Sequence, residues 1–257
     1  MPERGYQHNF SRMVEGAMYN HHVRERKAKT ILAILQDFLD KKTISSLSLL
    51  DVGSSTGIID NFLADHFSEV TGIDIDKEAI EYALASFKKS NLKFKVDDLM
   101  ELSFSDNTFD VVVCTQIYEH VPDARTMIKE IYRVLKPGGI CYFAAGNRMT
   151  ILEPHYRLPF LSIVPRPFAH ICLKISGKGD YYHEKHFSLL GLRKLTSSYI
   201  SHDYTKKLIN TPEKFQTEYM LKPGSFKHKV SRFIASHFYF LCPTYIWILE
   251  KPTSSSS

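Results

Sequence analysis

Leu49-Leu50-Asp51-Val52-Gly53-Ser54-Ser55-Thr56-Gly57 decides the fold of this chain when it is read with Val70-Thr71-Gly72-Ile73-Asp74-Ile75-Asp76. The acid that ends the second run follows the first by about 20 positions, the separation a nucleoside-binding βαβ unit needs. An apolar strand delivers Asp51 to its carboxyl edge, Gly53 and Gly57 let the backbone turn tightly and lie close to a ligand, and a helix from Ile58 starts directly beyond. Asp74 is then placed to accept both hydroxyls of a ribose. A dinucleotide fold would carry Gly-x-Gly-x-x-Gly, so that helix amides cradle a pyrophosphate. The spacing Gly53-x-x-x-Gly57 lacks that pattern and suits a nucleoside without phosphate.

Hydrophobic periodicity predicts strands over 46–52, 70–74, 93–96, 111–115, 140–144, 202–208 and 245–249. It predicts helices over 27–40, 58–66, 77–88, 124–135 and 189–198. Strand and helix alternate, which implies an α/β, Rossmann-like, seven-stranded and mostly parallel sheet with helices on both faces. The continuous run Val111-Val112-Val113-Cys114 fits a strand with no wet face, and ligands then gather at the carboxyl edge of the sheet.

The 257 residues suit a single domain over 1–257, and 44% hydrophobic content supports a full core. No run approaches a membrane span and Met1 to Arg12 has no signal-peptide core, so a cytoplasmic location is expected. Cys114, Cys141, Cys172 and Cys242 lie far apart and suggest neither a zinc site nor a disulfide framework. A net charge of +5 forms no basic stripe, so nucleic acid is not indicated as a partner. Residues 252–257 read as a disordered tail.

With Lys95-Val96-Asp97-Asp98-Leu99, the run from Phe109 through Gln116-Ile117-Tyr118-Glu119-His120-Val121, and Glu130-Ile131-Tyr132-Arg133-Val134-Leu135-Lys136-Pro137-Gly138-Gly139 in place, the chain resembles the class I S-adenosylmethionine-dependent methyltransferases. Within them it is similar to the group that includes the ubiquinone and menaquinone biosynthesis enzymes. The last segment reads as a helix capped by Gly138 and followed by a strand from Ile140. The resemblance implies S-adenosylmethionine as cofactor. Asp51, Gly53, Ser55 and Gly57 would seat its methionine portion, Asp74 its ribose, Ile75 one adenine face, and Asp98 with Leu99 the adenine edge; Thr115 joins this set. Asp97 is an alternative to Asp98, because two adjacent acids leave the register open. Such loops usually read Gly-x-Gly-x-Gly, and Ser55 stands at the middle position. Its Cβ and hydroxyl face the methionine tail, where they either bind or crowd it.

His120 is the candidate base for an acceptor hydroxyl: it follows the fourth strand, and imidazole ordinarily titrates near neutrality. In some quinone O-methyltransferases an acid ahead of the Glu-His pair helps to bind a divalent metal. Gln116 stands there, and a neutral amide is a poor ligand for a hard cation, so no metal is expected. His183, Glu184 and His186 have no helical two-His spacing.

Two regions exceed the minimal fold. Residues 1–29 are expected to close over the cofactor as a lid. Residues 147–186, broken by Pro154, Pro159, Pro165 and Pro167, read as a substrate cover with Leu158 to Val164 as an apolar wall, or alternatively as a packed accessory unit. Asn147, Arg148, His155 and Tyr156 are its candidate substrate-binding residues, able to meet hydroxyls of a sugar or phenol; Arg148 pairing with Glu153 is the plainer alternative. The expected partner is a small-molecule acceptor, methylated on oxygen. A non-catalytic binding protein retaining the fold is the competing class, favoured only by Ser55. RNA methylation lacks its base-clamping motif after the fourth strand.

Overall fold

The computed structural model describes residues 10–39, 44–153 and 155–253. Among the described residues seven strands form one sheet: β1 (Ser48–Val52), β2 (Glu69–Asp74), β3 (Leu92–Val96), β4 (Phe109–Thr115), β5 (Leu135–Gly146), β6 (Ile200–Asp203) and β7 (Thr244–Glu250). Their order is β3-β2-β1-β4-β5-β7-β6. The first five pair in parallel, and β7 runs antiparallel to both β5 and β6.

Alternation along the central strands builds two cores, one on each face of the sheet. Leu50, Val52, Val112 and Cys114 join Met127, Ile128 and Ile131 of the helix Ala124–Val134 on one side. Leu49, Val111 and Val113 join Ile31, Ile34 and Leu35 of the helix His21–Phe38 on the other. The chain winds outward from β1 to β3 and then returns to β4, so the strand order reverses between β1 and β4. A crevice opens at that reversal, above the carboxyl ends of the strands.

Several elements depart from the sequence reading. The strand expected over 202–208 is instead β6, Ile200–Asp203, because the Asp203 carboxylate accepts the Thr205 amide at 2.9 Å and starts the helix Thr205–Asn210. Gly138 does not cap a helix. The helix Ala124–Val134 stops at extended Leu135, and Gly138, at φ 77°, lies inside β5 beside a register shift between Phe109 and Val111. The helix Phe226–His237 was not expected: Phe226 and Phe233 are exposed and blur its period. The helix at the chain's start begins at His21 rather than Lys27, since the Asn20 side chain accepts the Val23 amide at 3.1 Å. Among the expected segments, residues 1–9 of the lid, Asp40, Pro154 and Ser254 to Ser257 of the tail lie outside the described residues.

Residues 147–186 leave and rejoin the domain at one point. Asn147 bridges Phe187, the Arg148 amide donates to the Phe187 carbonyl at 2.9 Å, and the Phe187 amide donates to the Tyr118 hydroxyl at 3.1 Å. Between these ends lies the helix Arg166–Ile175, entered through Pro165 with Pro167 in its first turn, where a missing N–H costs nothing. Leu161, Ala169, Leu173 and Tyr182 form a small core of their own, with Leu158 and Val164 packed against it. The run from Leu158 to Val164 is therefore not the wall of the cleft: Leu158, Leu161 and Val164 pack into this core while Phe160 is exposed, as in a packed accessory unit.

Candidate active site

A cavity of about 330 Å³ fills the crevice, lined by the turns after β1, β2 and β4, by residues from the amino-terminal segment, and by His155. Its floor is set by glycine. Gly53 adopts φ 81°, and a Cβ there would strike the Ile117 side chain. Gly57, at φ 72°, heads the helix Ile58–Leu63, where a Cβ would meet Phe94 and Ala83; it shapes the loop without lining the cavity. Ser55 lines the cavity at φ 52°, a left-handed conformation that costs a non-glycine residue about 1–2 kcal/mol. Its amide donates to Asp74 Oδ2 at 2.8 Å, and the Asp76 amide donates to Asp74 Oδ1 at 2.9 Å. Both carboxylate oxygens are thereby aimed and retain further lone pairs toward the cavity.

The amino-terminal segment closes one side. Ser11 donates its hydroxyl to Asp76 Oδ2 at 2.6 Å and its amide to the same oxygen at 3.0 Å, while the Thr56 hydroxyl donates to the Met18 carbonyl at 2.8 Å. Val14, Ala17 and Met18 then contribute apolar lining.

Arg24 and Lys27 also line the cavity, and sequence reasoning missed both. A signal was present: Arg24 lies on the buried stripe Ala28, Ile31 and Leu35 at helical spacing, a position that a solvated arginine does not take. Arg24 donates to the Ser54 carbonyl at 3.4 Å, and its Nε has no hydrogen-bond partner among the described residues. Asp51, 2% exposed, likewise keeps a buried Oδ1 without a partner among them. Burial pushes the Asp51 carboxyl up to about 7, against the pull of Arg24 and Lys27. Burial and the nearby Arg24 push the Lys27 ammonium down to about 8. Burial likewise raises Asp60, whose two oxygens have no partner among the described residues, and raises Asp74 despite its amide donors. Buried groups of opposite sign, each with unused hydrogen-bonding capacity, match a zwitterionic amino-acid portion, and the aimed Asp74 matches a ribose diol. The residues present therefore fit S-adenosylmethionine.

Ile75, Leu99 and Thr115 line the cavity as well. Asp98 does not; its Oδ1 is turned to the Met100 amide at 2.8 Å. Asp97 takes the lining position instead, with Oδ2 accepting from the Ser103 hydroxyl at 2.6 Å.

At the opposite end stand His120, half-buried after β4, and His155, which reaches in from the insertion with its ring 5.0 Å from that of His120. His120 does not titrate near neutrality as the sequence suggested: burial, then His155 and His186, push it down to about 3. His155 Nδ1 is 2.8 Å from Glu153 Oε1.

The other candidate acceptor ligands are turned away from the cleft. Asn147 is 1% exposed and donates its amide to the Phe240 and Cys242 carbonyls, both at 2.8 Å, and to the Tyr245 hydroxyl at 3.0 Å. Its role is to hold β5 against the turn before β7. Exposed Arg148 donates to the Ser162 carbonyl at 3.2 Å rather than pairing with Glu153. Tyr156 packs its ring on Tyr182, 5.8 Å between centroids, in the insertion's own core. None of the three lines the cavity.

Known proteins agree with this architecture. The family described as "Methyltransferase domain" matches residues 50–143. A ubiquinone biosynthesis O-methyltransferase from Coxiella burnetii is 34% identical over 108 residues, covering 41% of this chain and 46% of the relative. A malonyl-[acyl-carrier protein] O-methyltransferase from Acetivibrio thermocellus is 30% identical over 152 residues, covering 58% and 52%. The chain thus spans about half the length of these curated relatives. Among solved structures, an S-adenosylmethionine-dependent methyltransferase from Methanosarcina mazei superposes with a TM-score of 0.56 at 22% identity, over 86% of this chain and 98% of that one, a likeness of fold. Motif order, sheet topology and glycine-floored cavity give the chain the class I S-adenosylmethionine-dependent methyltransferase fold, and residues 50–143 carry the family match.

Proposed function

We propose that this chain transfers the methyl group of S-adenosylmethionine to an oxygen of a small hydroxylated metabolite, such as a phenolic, isoprenoid or glycan-precursor compound. The observation that carries the reading is one cavity with an aimed carboxylate, Asp74, in one wall and two imidazoles, His120 and His155, in another. The bound cofactor supplies an electrophilic methyl on a sulfonium, and displacement removes that positive charge. As the acceptor oxygen takes the methyl, its O–H bond breaks and the proton passes to His120, while alignment in a dry cavity supplies on the order of 7–11 kcal/mol.

The chain's residues divide that work. Asp51 accepts the ammonium of the methionine portion while Arg24 and Lys27 hold its carboxylate; Gly53, Ser55 and Gly57 shape the loop that admits it. Asp74 binds the ribose, Ile75 and Leu99 flank the adenine, Asp97 meets its edge, and Thr115 closes the wall after β4. His120 receives the acceptor hydroxyl in a hydrogen bond, and the segment 11–18 keeps water out. The O-methyltransferase relatives support oxygen as the acceptor atom.

Calorimetric titration with S-adenosylmethionine and S-adenosylhomocysteine, followed by a screen of phenolic and polyol acceptors for labelled methyl uptake, tests the proposal. Binding of both, with transfer to at least one hydroxyl acceptor, is expected. Failure of both cofactor forms to bind at millimolar concentration would remove the enzyme reading, and binding without transfer across the screen would favour a non-catalytic protein on the same fold.

A further inference from the structure

Three carboxylates and three imidazoles meet at the inner face of the insertion, far more charge than methyl transfer uses. Glu119 and Glu153 are 0% exposed and Glu184 is 3% exposed. Among the described residues, no lysine or arginine forms an ion pair with any of the three. Both oxygens of Glu119 and Oε2 of Glu184 are buried without a hydrogen-bond partner among those residues. Carboxylates carried into a protein interior unpaired are costly enough that such sites ordinarily hold a cation or a proton.

His186 separates these two solutions. Its side chain is 2% exposed, and neither Nδ1 nor Nε2 has a hydrogen-bond partner among the described residues. A proton shared between Glu153 and His155 would leave His186 with a buried N–H and a buried lone pair unmet, at about 1–3 kcal/mol for each group. A metal ion takes up the lone pair directly. The geometry is already close to a coordination sphere: Glu153 Oε1 lies 2.8 Å from His155 Nδ1 and 3.6 Å from His186 Nε2, and the three residues offer ligand atoms all within 4.8 Å of one another. Ligands about 2.1 Å from a tetrahedral ion stand about 3.4 Å apart, between those two separations. Glu153 Oε2 is held by the Tyr156 amide at 2.7 Å, which aims Oε1 at both imidazoles.

From these residues we infer that Glu153, His155 and His186 form a binding site for a divalent transition-metal ion. Two imidazoles and one carboxylate suit Zn²⁺, Mn²⁺ or Fe²⁺ rather than Ca²⁺ or Mg²⁺, which take oxygen ligands. The ligands come from both ends of the insertion, so the ion ties Glu153 and His155 to the return of the chain at His186. It thereby fixes His155, which lines the cleft, at the acceptor end. This site is independent of the acceptor proposed above and makes no use of Gln116.

The test begins with protein purified without chelator and analysed for metal by mass spectrometry, then stripped and titrated with Zn²⁺ or Co²⁺. About one equivalent of metal is expected, with visible d–d absorption from the Co²⁺ form and a melting temperature raised by several degrees on adding Zn²⁺. His186→Ala should lose the absorption and the thermal shift. Glu153→Gln should weaken Zn²⁺ binding at least tenfold. Both variants should still bind S-adenosylhomocysteine, a readout that separates failure of this site from failure of the donor site. If His186→Ala does not fold, His186→Asn carries the same comparison, and the wild-type spectrum stands by itself. A wild-type protein without metal, spectrum or thermal shift at millimolar Zn²⁺ would overturn the inference, as would metal binding undiminished in both variants.

Discussion

The donor half of the cleft and its acceptor half are built by different means. The donor half is framed by local geometry, with tight turns at Gly53, Ser55 and Gly57, an acid ending β2 and amides that aim it, and Arg24 and Lys27 reach it from the amino-terminal helix. The acceptor half is side chains from distant segments, with His120 after β4 meeting His155, Glu153 and His186 from an insertion that carries its own core. Backbone geometry is written locally in sequence, whereas a meeting of side chains across about sixty positions is not. The two halves should also fail differently when altered, and the variants below separate them in order of expected effect.

The acceptor half carries the largest effect on turnover. His120→Ala should lower the rate by about 10²–10⁴ once an acceptor is found, with the cofactor dissociation constant essentially unchanged. Single-turnover kinetics and calorimetry on the same preparation check both parts. A variant that loses cofactor affinity instead would move His120 into the donor half and dissolve the division drawn here.

Asp74→Ala is the donor-side counterpart. Two charge-assisted hydrogen bonds to the ribose disappear, which should weaken cofactor binding by roughly 2–4 kcal/mol. Because Asp74 also receives the Ser55 and Asp76 amides, Asp74→Asn distinguishes the ribose contact from the loop's own support. The amide keeps one acceptor oxygen, so an intermediate loss is expected there. Equal affinity in Asp74→Ala and wild type would remove the ribose assignment.

Protonation supplies a graded version of the same experiment. With Asp51 raised to about 7 in the cofactor-free protein, an ammonium ligand binds the carboxylate form, so affinity should rise as pH increases from 6 toward 8, by up to about tenfold per unit below that pKa. Lys27, lowered to about 8, loses its proton at higher pH and with it the attraction for the ligand's carboxylate. Calorimetry across pH 6 to 9 should show a maximum near 7 to 8. A flat profile would mean that neither group meets the methionine portion.

These contrasts explain what could be read from the chain alone. The parallel sheet, its helices and the donor loop were legible because apolar runs such as Val111 to Cys114 and the positions of Gly53, Gly57 and Asp74 have local physical causes. The strand expected over 202–208 failed locally too, since the Asp203 carboxylate accepting the Thr205 amide outweighed the alternating pattern. Arg24 was overlooked because the helix was expected to begin only at Lys27, which left Arg24 in the lid and off the buried stripe it occupies. Asn147, Arg148 and Tyr156 stand outside the cavity for a different reason. Their polarity was read as an invitation to a ligand, whereas each satisfies groups of its own fold, and only a three-dimensional structure says which.

Ser55 brings the smallest effect and the finest test of the donor half. At φ 52° its backbone already takes the conformation that glycine adopts freely, so the loop path does not depend on glycine at this position; serine meets it at a conformational cost. Ser55→Gly removes that cost but also frees the unfolded chain, and the two terms oppose one another. The amide that donates to Asp74 is retained. Stability should therefore change by no more than about 1 kcal/mol, read as the midpoint of thermal or denaturant unfolding. Cofactor affinity should stay level or tighten as the side chain withdraws from the cavity. A loss of tenfold or more in affinity with stability unchanged would give the Ser55 hydroxyl a direct role as ligand, beside the side chains of Asp51, Arg24 and Lys27.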